Sequence, residues 1–172
     1  MQLIIETGMG LPDANSYIDM AGIDFYLSSS DMTKLGKLSK SEQIDRLVIA
    51  SLFIDYSFNW LGHKKSFEQG LNWPRIDVKF QKYEIPDNYI PLQIKRACAM
   101  AVSLLIEYGL GVFRETGEAQ VKKEKLGPLE TEYFEALKKE LVNKTQFSDI
   151  NNVLRGLFRV PSNVTTAKVL RR

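Results

Sequence analysis

The chain has 172 residues, of which 44% are hydrophobic and 26% charged, the balance of an ordinary folded domain rather than a disordered segment. Lysine and arginine total 23 against 21 aspartate and glutamate, so the formal charge is only +2, which excludes nucleic-acid binding by bulk charge. The single cysteine, Cys98, excludes an internal disulfide framework and a cysteine-based zinc cluster; the single histidine, His63, excludes any site needing two imidazoles.

The opening MQLIIETGMG has no basic stretch and no long apolar run, so it does not read as a secretory leader. The uncharged run from Ala97 to Ile106 is far short of the ~20 residues a membrane span needs. A soluble protein made in a reducing compartment is expected. In chain order, residues 2–6 read as a short strand, followed by a turn-rich segment from Thr7 to Ser16. Asp19 is placed to cap a short helix reaching about Leu27, and residues 28–40 read as a loop. Ser39 and Glu42 have capping-box spacing, which predicts a long helix over 41–59. Its apolar stripe is Ile44, Leu47, Val48, Leu52 and Tyr56.

Residues 61–90 form an irregular, aromatic excursion that Trp60, Phe67 and Trp73, with Pro74, are expected to anchor on the core. Pro91 suits the first turn of a further helix running to about Tyr108, apolar nearly all round and stopped by Gly109. Such a helix is central to a fold or buried between subunits. Residues 119–134 predict a hairpin around Gly127-Pro128, and 134–143 a short helix. Ser148 or Asp149 is placed to cap a last helix to about Phe158. Beyond Pro161 the periodicity ends. The fold class is therefore mainly α: a small helical bundle with an N-terminal strand and a β-hairpin. Its domain spans 1–158, and 159–172 is an extended tail.

No catalytic constellation emerges, and no cofactor or metal is implied. Gly8-Met9-Gly10 follows a strand but lacks the third glycine and the following helix of a dinucleotide loop, so it reads as a tight turn. His63, between Gly62 and Lys64, reads as a surface loop residue, and no nucleophile motif accompanies it. Cys98 reads as a small core residue. The mixture of Phe58, Trp60, Phe67, Trp73, Phe80 and Tyr83 with Lys64, Lys65, Arg75, Lys79 and Lys82 could stack bases and track phosphates; equally, the aromatics could pin an irregular loop. From Ile150 onward the charged residues are Arg155, Arg159, Lys168, Arg171 and Arg172, with no acid among them. Such a tail suits a partner subunit, DNA or an acidic surface.

Several motifs occur in a fixed order. They are Gly8-x-Gly10-x-Pro12-x-Ala14-Asn15-Ser16-Tyr17, Tyr56 to Trp60-x-Gly62, and Gln69-x-Leu71-x-Trp73-Pro74-Arg75. Ile85-Pro86, Ile90-Pro91 and Ile94-Lys95-Arg96-Ala97 follow, then Val121-Lys122-x-Glu124-Lys125-Leu126-Gly127-Pro128-Leu129-Glu130 and Tyr133. Over about residues 2–157 this set resembles a tailed-bacteriophage family often labelled DnaT-like single-stranded-DNA-binding protein, whose members look like head–tail connector (adaptor) proteins. The resemblance implies a non-enzymatic virion protein of the neck, made in the host cytoplasm. It would form a homo-oligomeric ring, usually a dodecamer, beneath the portal. The ring would prolong the channel through which DNA passes and dock the next neck or tail protein, with no membrane partner. By the same resemblance the C-terminal segment, with Arg155, Arg159, Lys168, Arg171 and Arg172, would embrace the portal. Residues 134–147 and the tail after Phe158 match no family pattern. The alternative function is a single-stranded-DNA-binding replication protein.

Overall fold

Two long helices carry most of the core, and local sequence explains both. In the computed structural model, which describes residues 2–109 and 147–159, α3 runs over Lys40–Ser57 and α4 over Leu92–Tyr108. At the start of α3 the Glu42 amide donates to Ser39 Oγ, and the Ser39 amide donates to Glu42 Oε2 at 2.9 Å, the reciprocal capping box the spacing predicts. Pro91 is one residue earlier than expected, capping α4 rather than entering it, because its backbone is extended. Gly109, at φ 79°, ends α4 as expected.

α4 buries Ile94, Ala97, Cys98, Ala99, Ala101, Val102, Leu104 and Leu105, and packs chiefly on α3. Its small residues allow close approach between the two helices. This helix is thus central to the fold. The α3 stripe is rotated from the predicted one: Leu47, Val48, Ala50, Ser51, Ile54 and Asp55 are buried, and Tyr56 is exposed. Two polar residues lie on the buried line, which a hydrophobicity reading passes over.

Two shorter helices precede α3. The first, α1, covers only Met20–Ile23, capped by Asp19 as expected but ending well before Leu27. The second, α2, covers Ser29–Gly36, where a loop was expected. Ser28 Oγ accepts from the Asp31 amide, and Leu35 is buried; the Ser-x-x-Asp cap is the signal that a loop reading overlooks. Ser103 on α4 donates to Asp31 at 2.5 Å and ties α2 to the helix pair.

The predicted N-terminal strand is an extended segment joined to the chain by one parallel bridge, Ile5 to Ser16, because its pairing partner is a turn rather than a second strand. Between α3 and α4 lie two small antiparallel hairpins. In one, β1 (His63–Lys64) pairs with β2 (Arg75–Ile76); in the other, β3 (Lys79–Phe80) pairs with β4 (Tyr83–Glu84). Gln81 and Lys82 both have positive φ, the primed geometry that closes a two-residue turn. The hairpin predicted at 119–134 and the helix at 134–143 lie outside the described residues.

A fifth helix, α5, occupies 147–154. Ser148 and Asp149 are inside it rather than capping it, and it stops four residues before Phe158. The stop has a tertiary cause. Residues 157–159 pair with residues 59–61, just past the end of α3: Leu61 donates to Leu157 O, Arg159 donates to Asn59 O, and Trp60 bridges Phe158. The described residues are mainly helical with two small hairpins.

Candidate functional site

Three buried polar side chains, Glu6, Asp55 and Gln69, organise the loops that carry the ordered motifs. Glu6 turns back under the glycine turn. Its Oε1 accepts from the amides of Gly8 (2.8 Å) and Gly10 (2.9 Å), and its Oε2 from Leu11 (2.7 Å). These are charge-assisted bonds of the strong class. The amides that a phosphate would need are therefore bound to the chain's own carboxylate, and the turn is structural. Gly8 has no room for a side chain, since a Cβ there would lie 1.9 Å from Asn88 O.

Asp55 is the second hub. Its Oδ1 accepts from the Tyr17 hydroxyl and from the Asn72 amide (2.8 Å), and its Oδ2 from Asn72 Nδ2 (3.0 Å). Its main-chain carbonyl accepts from Trp60 Nε1 (2.9 Å) and Asn72 Nδ2 (3.1 Å). The Tyr17 hydroxyl accepts in turn from the Trp73 amide at 3.0 Å. One turn earlier on α3, Ser51 Oγ accepts from the Tyr17 amide at 3.1 Å. Burial pushes the Asp55 carboxyl up from its ordinary value, against the opposing hydrogen bonds from Tyr17 and Asn72. Burial, with the Asp55 charge beside it, pushes the Tyr17 hydroxyl well above its ordinary value.

Gln69 and Arg75 lock the 61–76 excursion. Gln69 Oε1 accepts from the Ser66 amide, while its Nε2 donates to Leu71 O and Pro74 O. The Arg75 guanidinium donates to Leu61 O (2.6 Å), Gly62 O (2.7 Å) and Asn72 O (3.1 Å). The quoted residues Ser16-Tyr17, Trp60-x-Gly62 and Gln69-x-Leu71-x-Trp73-Pro74-Arg75 thus meet in one buried network. Sequence reasoning missed its centre, Asp55, and the separate Glu6 hub under the glycine turn. The available signal was a carboxylate four residues from Ser51 on an apolar helix face.

The predicted anchors divide. Trp60 (4% exposed) and Trp73 (0%) are core residues with edge-to-face rings 6.0 Å apart, and Pro74 is buried beside them. Phe67 is not an anchor: it is 98% exposed, because Gln69 rather than Phe67 holds its loop down. His63 is exposed on β1. Arg155 and Arg159 are exposed around the 157–159 pairing; Lys168, Arg171 and Arg172 lie outside the described residues.

Among the described residues no group of three His, Cys, Asp or Glu side chains could hold a metal, and no helix is long and apolar enough to cross a membrane. Cys98 is fully buried, which pushes its thiol up to about 12. A thiol-specific reagent at neutral pH should therefore leave the native protein unlabelled and label it fully in denaturant. Prompt labelling of the native protein would contradict this burial.

Two surfaces stand out. One is an apolar end built from three loops: Met9 (66% exposed), Phe67 and Tyr89. Gly8 backs directly on Asn88, the glycine turn rests on Ser66 and Gln69, and Lys65 Nζ donates to Gly8 O. The other is a basic edge where the β3–β4 hairpin meets residues 155–159.

No curated protein and no solved structure matches the chain. The family model described as "Putative DnaT-like ssDNA binding protein" matches residues 1–172, its whole length. The chain with this Asp55-centred scaffold belongs to that DnaT-like family.

Proposed function

We propose that the protein is a structural head–tail adaptor of a tailed phage, a ring component that docks on the portal and carries the next neck or tail protein. The observation that carries this reading is the apolar end. Aromatic and Met side chains are enriched at protein interfaces, and here Phe67, Met9 and Tyr89 stand in solvent, the first two on loops whose Ser66 and Gly10 amides are held by the buried Gln69 and Glu6 side chains. A rigid, exposed apolar surface loses little entropy on docking. The ordered motifs that resemble adaptor proteins build the scaffold behind it. In this reading Arg155 and Arg159, with Lys168, Arg171 and Arg172 of the tail, reach the portal, and DNA passes through the ring without sequence-specific contacts.

Mass spectrometry of purified virions, followed by cryo-electron microscopy of the neck, tests the reading. A ring of this chain between portal and tail is expected; its absence from virions would overturn it. The double variant Met9→Ser, Phe67→Ser should keep the urea midpoint of the wild type. It should lose at least about tenfold in assembly or portal affinity, since hot-spot aromatics contribute about 2 kcal/mol or more. Unchanged assembly would remove the apolar end from the interface.

The second reading is single-stranded-DNA binding, favoured by the description of the family to which the chain belongs. It cannot use Trp60 or Trp73 as stacking platforms, because both are buried.

A further inference from the structure

We infer that the basic edge formed by the β3–β4 hairpin and residues 155–159 is a single-stranded nucleic-acid contact, with Tyr83 as the stacking platform and Lys82, Arg155 and Arg159 as phosphate contacts. The inference rests on the second reading above and supplies the site that the buried tryptophans cannot. Its geometry begins with the register. Phe80 and Tyr83 face each other directly across the hairpin, so their side chains share one face. The Phe80 ring closes against Gly156, where a built Cβ would lie 3.3 Å from it. Gly156, at φ 95°, has no side chain in the way, and the hairpin is thereby seated next to Arg155. Tyr83, 77% exposed, stands beyond Phe80 on the same face with its ring in solvent.

The charges on this edge are available. Among the described residues the ion pairs are Lys34 with Asp31 and Lys79 with Glu84; Lys82, Arg155 and Arg159 are exposed and in neither. Arg159 is held through its backbone, its amide donating to Asn59 O at 2.7 Å, and the residue is exposed. Arg75 lies behind, its guanidinium donating to three main-chain carbonyls; burial first, and the Arg159 charge as a lesser cause, pull it below its ordinary value. The acids nearby are Glu84, taken by Lys79 at 3.4 Å, and Asp77, exposed at the turn between β2 and β3. A single projecting ring beside three cations fits an unstacked base and its flanking phosphates. It does not fit a duplex, whose bases offer no free face.

Fluorescence polarisation of a labelled oligothymidine of about 20 nucleotides, titrated with the full chain at low salt, tests the site. Binding is expected, weaker to a duplex of the same length. With three phosphates engaged, the logarithmic salt slope should be about −2. Tyr83→Ala should weaken binding about 5- to 160-fold. Arg155→Ala with Arg159→Ala should weaken it and flatten the salt slope, while both variants keep the wild-type urea midpoint. Wild-type protein that does not bind oligothymidine would overturn both the site and the DNA-binding reading. Binding that survives in both variants, or that is equally tight to duplex and indifferent to Tyr83, would overturn the site alone.

Discussion

Asp55→Ala is expected to cost about 3–5 kcal/mol of folding stability, a large share of the ~5–15 kcal/mol of a typical domain. The loss is not that of one contact. Removing the carboxylate leaves the fully buried Tyr17 hydroxyl and the Asn72 amide without their acceptor, and leaves Asn72 Nδ2 with the Asp55 main-chain carbonyl alone. Each orphaned buried donor costs about 1–3 kcal/mol. The melting temperature should fall on the order of 10 °C. Asp55→Asn, which keeps the shape and one acceptor, should cost less. The pH dependence separates the two causes. Because burial raises the Asp55 value in the folded state, its contribution to stability is fully present below the unfolded-state carboxylate value and drains as pH rises through the folded-state value. Asp55→Asn should remove that slope. Urea unfolding across pH 3–7 (about four units) measures both effects; an Asp55→Ala midpoint equal to wild type would overturn the hub.

Trp73→Ala should be comparably severe, about 3–5 kcal/mol, because a fully buried indole leaves a cavity that its neighbours cannot collapse into. Trp73→Phe should cost distinctly less. The Trp73 Nε1 is buried without a hydrogen-bond partner among the described residues, so the smaller ring removes an unsatisfied donor along with some volume. Trp60 differs, since its Nε1 donates to Asp55 O, and Trp60→Phe forfeits that bond. These variants also discriminate function. Had the tryptophans been stacking platforms, Trp73→Ala would lower DNA affinity at unchanged stability. The structure leads to the opposite expectation: the variant unfolds more easily, and any DNA affinity of the fraction that remains folded is unchanged. Unfolding curves and polarisation titrations on the same preparation distinguish the two.

The local devices of the fold were legible in the sequence. The Ser39–Glu42 capping box, the Asp19 cap, the apolar run of α4 and its Gly109 stop are determined within a few residues, by hydrogen bonds and propensities that act over one turn. So were the core positions of Cys98, Trp60 and Trp73. The resemblance carried by the ordered motifs pointed to the DnaT-like family that the full-length match shows. The glycine turn, too, read as a turn rather than a phosphate loop.

What only the tertiary structure decided is the use of polar residues. Glu6, Ser51, Asp55 and Gln69 are of residue types mostly found at the surface, yet each is buried, because the fold supplies its hydrogen-bond partners, for Ser51 and Asp55 from far away in sequence. Phe67 read as core and is in solvent, because a buried glutamine fastens its loop instead. The rotated stripe of α3 and the early stop of α5 have the same origin: Asp55 draws its face inward to meet Tyr17 and Asn72, and residues 157–159 leave the helix to pair beside Trp60. A hydrogen bond between residues dozens of positions apart leaves no periodic trace in the chain. Apolar spacing therefore determines where a helix lies, and buried polar pairing determines which side of it faces the core.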